Sequence, residues 1–352
     1  MARQLIRKKV ATPKRKTVKR ETKKKFRILS IDGGGIRGIL PGQILVALEE
    51  ILGQRDHRHT ARIADYFDMI VGTSTGGILV CCYLAPRAQG RRPKFSAQEA
   101  VNLYLDRGGD VFSLSIMQRI RSAGGYADET YNAQGLEDAL GDYFGDLKLS
   151  DLLRPCLLTA YDIERRKAHF FRQHRARRLA SADFLVRDAA RATSAAPTYF
   201  EASHVQSQAN ESFALIDGGL FANNPALCGY AEARTLPKQP RAKDMVILSL
   251  GTGATQESYP YKSAKNWGRV QWIQPVLDIM MSGVAETVDY QLRQIYDAVQ
   301  RPKQYLRIEP NLGDASPHMD DASPGNLNNL RLAGLAAANH YHDELKRFAE
   351  LL

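Results

Sequence analysis

From Phe26 onward, short apolar runs alternate with glycine turns and helical stretches. "FRILSI" (26–31) is an apolar run of strand length and predicts a buried strand. It leads through "DGGGIRG" (32–38) into a helical pattern over residues 39–52. "YFDMIVG" (66–72) predicts a second strand, and a helix begins again over 76–84. Strand, glycine turn and helix, twice in succession, predict an α/β fold with a mainly parallel central sheet flanked by helices.

The rest of the chain is more varied. "SAQEAVNLYLDRGGDVF" (96–112) reads as helix up to its two glycines, and "SLSIMQRIRSAGGYADETY" (113–131) as a short amphipathic piece and a loop. "LEDALGDYFGDLKLSDLL" (136–153) is helical and acidic, and strand character returns at "PCLLTAYDI" (155–163). "ADFLVRDAARATSAAPTYF" (182–200) predicts a helix closed by a proline, and "FALIDGG" (213–219) a strand with a glycine turn. "NNPALCGYAEAR" (223–234) opens with Asn and Pro, which suit a helix cap and first turn. "DMVILSLGTG" (244–253) predicts a buried strand, "KQYLRIEP" (303–310) an edge strand, and residues 326–352 a C-terminal helix. There is no internal repeat.

Charge divides the chain at residue 25. The net charge is +11, and residues 1–25 hold twelve Lys/Arg against the single acid Glu21. The other residues are balanced. The tail has almost nothing apolar to bury and reads as disordered, leaving one folded unit over 26–352. It is either a solubilising extension or an arm for anionic lipid, worth roughly 1 kcal/mol per basic residue near a membrane surface. No aromatics are interleaved for stacking on bases, so nucleic acid is not an expected partner. Neither a secretory leader nor a run of about 18 apolar residues is present, so no membrane span is expected. The four cysteines, Cys81, Cys82, Cys156 and Cys228, lack C-x-x-C spacing and sit in apolar contexts. They read as buried thiols of a reducing, cytoplasmic compartment, with no zinc site.

"GTSTG" (72–76) is G-x-S-x-G between a strand and a helix, the context that exposes a nucleophilic serine on a sharp turn. A serine hydroxyl needs a base to take its proton. Downstream of a plausible acid only His318, His340 and His342 remain, and none follows a strand with turn chemistry. Asp217 does end an apolar strand, before Gly218 and Gly219. The run Gly33, Gly34, Gly35 leaves backbone N–H groups open at the start of a helix, suited to an oxyanion. It also fits G-x-G-x-x-G through Gly38, so a dinucleotide-binding turn is the rival reading, although no strand precedes the nearby acids Glu49, Glu50 and Asp56. "WGRVQWIQPVLDIMMSG" (267–283) holds both tryptophans and two adjacent methionines, which suit either lipid contact or a core helix.

"DGGGIRG", "GTSTGG" and "DGGLFANNP" (217–225) together resemble the patatin-like phospholipase family. "KLSDLLRPCLLTAYDI", "RATSAAPTYF" and "YLRIEP…MDDASPGNL" look similar to its segments as well, so the resemblance covers nearly all of 26–335. It implies a three-layer α/β fold and a Ser–Asp dyad without histidine, with Ser74 as nucleophile and Asp217 as base. It further implies an oxyanion hole of Gly33, Gly34 and Gly35, with Arg37 beside it on a lipid phosphate or in a structural ion pair. The expected substrate is membrane phospholipid, cleaved at its acyl esters without calcium, metal or cofactor, at the inner membrane surface. Some bacterial relatives are antiphage effectors switched on by a cyclic dinucleotide, so activation of that kind is a further expectation. The basic segment "ERRKAHFFRQHRARR" (164–178) is a candidate for holding its phosphates. A homo-oligomer is compatible with the sequence.

Overall fold

In the computed structural model, residues 24–88, 90–111, 133–253 and 258–352 are described. All of the basic tail except Lys24 and Lys25, and the amphipathic piece at 113–131, lie outside them.

Among the described residues eight strands form one sheet: β1 (Phe26–Ile31), β2 (Met69–Thr73), β3 (Cys156–Asp162), β4 (Lys167–Arg172), β5 (Ser203–Gln206), β6 (Ser212–Asp217), β7 (Met245–Leu250) and β8 (Tyr305–Ile308). Their order is β5-β6-β3-β2-β1-β7-β8, with β4 also on β3. From β3 through β8 in that order every pair is parallel, and β4, β5 and β6 pair antiparallel.

Strand alternation sorts the core into two layers. Phe26, Ile28, Met69, Val71, Met245 and Ile247 pack on one face with the helix Ala226–Ala233 and the second half of the long helix Arg269–Ala298. Leu29, Ile31, Ile70, Val246 and Leu248 pack on the other with helices Ile39–Arg55, Thr75–Leu84, Ala97–Val111 and Pro324–His340. Both faces are covered, which is why the central strands read as unbroken apolar runs.

Several elements depart from expectation. Helix Ala97–Val111 runs through Gly108 and Gly109. Gly108 packs so near Ile36 that a Cβ would lie 2.8 Å from its Cδ1, so close packing is what its lack of a side chain serves. The C-terminal segment is two helices, Pro324–His340 and His342–Ala349. Strands β4 and β5 carry no apolar run, and β4 lies within the basic segment considered for a nucleotide. There Arg165 pairs with Asp162, while Arg172 and His174 pair with Glu232. β8 is an edge strand, as its sequence suggests.

Candidate active site

Strand β2 ends at Thr73, and the next residue, Ser74, takes φ 54° and ψ −127° before the helix Thr75–Leu84 begins. That left-handed conformation is costly for a residue with a side chain. It persists because its surroundings fix it. The Ser74 N–H donates to Thr193 Oγ1 at 3.0 Å, and the Thr193 hydroxyl donates to the Thr159 carbonyl at 2.6 Å. The turn is so tight that a Cβ on Gly76 would sit 2.2 Å from the Ile31 carbonyl oxygen.

Asp217 reaches Ser74 through strand register. β4 takes one edge of β3 from Leu157 to Asp162. β2 and β6 therefore follow one another along the opposite edge, β2 facing Cys156–Thr159 and β6 facing Ala160–Asp162. They run in opposite directions and meet end to end, with Thr73 beside Thr159 and Asp217 beside Ala160. The sequence reading put Asp217 at the end of a strand, and it does end β6. It lies level with the end of β2, on an antiparallel strand arriving from the other side.

The carboxylate is 3% exposed, and its Oδ1 accepts the Gly219 N–H at 2.7 Å. Burial pushes Asp217 up to about 7, against hydrogen bonds from the Ser74 hydroxyl and the Gly219 N–H that pull it down. Both residues lie in the wall of a cavity of about 870 Å³, measured out to its open mouth. Ile78, Leu103, Leu136, Phe200, Leu277 and Met281 supply much of its apolar lining. No histidine lines it among the described residues, and His318 and His340 are exposed on the surface.

The glycine run divides by its hydrogen bonds. The Gly33 N–H donates to the Asn223 carbonyl at 3.2 Å. The Gly34 and Gly35 N–H groups have no acceptor among the described residues, and Gly35 lines the cavity. Gly35 has φ +58°, and a Cβ on it would lie 2.1 Å from the Met319 carbonyl oxygen. Arg37 is buried and bonds to the Gly34 and Gly253 carbonyls at 3.4 Å each, so among the described residues it braces the loop through backbone contacts rather than through a carboxylate. Asp32 anchors the start of the loop. Its Oδ2 accepts from Arg307 at 2.7 Å, and Arg307 also binds Glu309 and Ser249. Burial pushes the Asp32 carboxyl up, and the guanidinium pulls it back.

Sequence reasoning passed over Asn223 and Thr193. Asn223 Oδ1 is buried without a partner among the described residues, against Gly33 and Gly219. Asn223 stands inside the quoted motif "DGGLFANNP", where its neighbourhood was the available signal. Thr193 stands inside "RATSAAPTYF", but nothing there singled it out, because its partners are 34 and 119 residues away.

The rival dinucleotide fingerprint is not completed. Glu49 and Glu50 lie in helix Ile39–Arg55, and the Glu49 carboxylate accepts the Ile63 and Ala97 N–H groups. The second strand ends instead in the serine turn.

The α/β sheet thus sets a strained serine on a strand-to-helix turn, in the wall of an apolar cavity. Residues 29–227 match the patatin family, described as patatin-like phospholipase. The chain is 34% identical to Patatin-like protein 3 of Arabidopsis thaliana over 340 residues, covering 87% of this chain and 76% of that protein. It is 32% identical to Patatin group J-1 of Solanum tuberosum, covering 92% and 89%. It is also 32% identical to a Solanum tuberosum protein named Probable inactive patatin-3-Kuras 1, covering 92% of each. The chain belongs to the patatin-like phospholipase family, and that membership supports a lipid acyl hydrolase.

Proposed function

We propose that this protein hydrolyses fatty-acyl esters of membrane phospholipids through Ser74 and Asp217. The observation that carries the proposal is the end-to-end meeting of β2 and β6, which brings a strained serine against a buried carboxylate in the wall of an apolar cavity. A carboxyl poised at about 7 suits a general base near neutrality.

Asp217 takes the hydroxyl proton as Ser74 Oγ attacks the ester carbonyl. The Gly34 and Gly35 N–H groups receive the oxyanion, a contribution often worth about 3 kcal/mol per donor. The C–O bond to the alcohol then breaks, and the leaving oxygen takes the proton from Asp217. A water, deprotonated by Asp217, attacks the acyl-Ser74 carbonyl. The acyl–serine bond breaks, Ser74 regains a proton, and fatty acid is released. These steps use only side-chain and backbone groups, so chelating calcium is expected to leave the rate unchanged.

The test is fatty-acid release from phospholipid vesicles by wild type beside Ser74→Ala and Asp217→Asn. Each substitution should lower kcat by at least about 10⁴-fold, as losses of nucleophile or base do in acyl transfer. Nucleotide activation is a separate proposal. With Arg165, Arg172 and His174 held by carboxylates, it would fall to the remaining cations of 164–178. A panel of cyclic dinucleotides in the same assay tests it, and a rate none of them alters refutes it.

A further inference from the structure

The long helix Arg269–Ala298 has two apolar faces in its first half, and the described residues pack only one of them. Leu277 and Met281 turn inward and line the cavity. Trp272, Ile273, Val276, Ile279 and Met280 point away from the core and are 37–51% exposed. At 3.6 residues per turn these five span an arc of about 120°. In the second half the same arc carries Thr287, Gln291, Gln294 and Asp297, interrupted by Tyr290 and Ala298, a mostly polar face. The continuous apolar arc lies where the helix borders the cavity.

The preceding segment extends this surface. Tyr261 and Val270 are each 80% exposed. Trp267 stacks edge-on with Tyr259 at 5.5 Å and with Trp272 at 5.0 Å. Lys262, Lys265 and Arg269 are exposed around it, with no carboxylate paired to them among the described residues. Aromatics and aliphatics ringed by cations are what the headgroup region of an anionic bilayer accepts. Aliphatic side chains enter the acyl boundary, Trp and Tyr sit at headgroup level, and Lys and Arg meet phosphate.

We propose that residues 259–280 form a docking face for the surface of an anionic lipid bilayer, which seats the cavity mouth against the membrane. This rests on the reading of the site as a lipid acyl hydrolase. The occupant is argued from charge complementarity and from continuity with the cavity, since one helix presents its outer face to the bilayer and its inner face to the acyl chain.

The chain's two tryptophans both lie on this face, so tryptophan fluorescence, excited apart from the tyrosines, reports on it alone. The full-length protein is mixed with vesicles of phosphatidylcholine and phosphatidylglycerol whose acyl chains carry bromine. Quenching and a blue shift are expected, and Ile273→Asp with Val276→Asp should weaken partition by on the order of tenfold per residue. Circular dichroism checks that this variant folds, and if it does not, quenching of the wild type decides alone. Vesicle flotation without quenching would assign membrane binding to the tail and overturn the proposal. Shielding of the tryptophans from acrylamide by raised protein concentration without lipid would overturn it as well, and assign the face to a second copy. Ester hydrolysis without quenching sinks the docking face alone. Quenching without fatty-acid release from any lipid sinks the hydrolase reading alone.

Discussion

At Ser74 the backbone stores strain on the order of 1–3 kcal/mol, which the Thr193 hydroxyl helps to hold. Thr193→Val would keep the shape but leave the buried Ser74 N–H without an acceptor. A loss of roughly 1–3 kcal/mol in stability is expected, read by denaturant unfolding, together with a lower kcat as the turn loosens. Asp217 makes two linked predictions. As a base it must be ionised, so the rate should rise with pH through about 7, where burial has placed its carboxyl. Its folded pKa lies above the unfolded value, so the folded state holds the extra proton. Stability is then lost as pH climbs from about 4 toward 7. Asp217→Asn removes that penalty, and the variant should melt at a higher temperature than wild type at pH 8. The gain, up to roughly 4 kcal/mol, should shrink toward pH 4. A variant that is inactive yet more stable would mark Asp217 as a functional carboxylate, because a structural one would weaken the fold when removed.

At the scale of elements, the site depends on β3 being longer than β2. The three residues of β3 beyond Thr159 give β6 an edge to pair with, and that pairing stops Asp217 level with Ser74. Gly76→Ala would drive the serine turn into the end of β1, and we expect a loss of about 3 kcal/mol or failure to fold, seen in yield and thermal melting. The parallel core was legible because its strands are buried on both faces and its turns are marked by glycine. β4 and β5 were not legible: β4 reads "KAHFFR" and β5 "SHVQ", and both owe their strand state to pairing with β3 and β6 rather than to their own pattern. Ser74 and Asp217 stood out as strand-end residues flanked by glycine. Their pairing was expected only through the family resemblance, since the antiparallel return of β6 is set by register across a gap of more than 140 residues. The glycine run was legible as a loop, but only the fold shows that Asn223 engages the Gly33 N–H, while the next two N–H groups have no acceptor among the described residues.

On the scale of the whole molecule, the basic charge and the apolar face are separate features. The net charge of +11 is carried by residues 1–25, whereas the exposed apolar arc borders the cavity on the long helix. Attraction through the tail is electrostatic and should weaken as salt rises, since exposed charges are screened beyond about 10 Å at 0.1 M. Apolar insertion should resist the same salt, so a titration of vesicle binding against ionic strength separates the two. Among the described residues no helix is long and apolar enough to cross a membrane. The most direct test of the central claim is fatty-acid release from phospholipid vesicles by wild type, Ser74→Ala and Asp217→Asn across pH 5–9. The account predicts a wild-type rate that rises through about pH 7 and is lost in both variants. Undiminished release by Asp217→Asn, or a rate lost instead on substituting His318, His340 or His342, would contradict it.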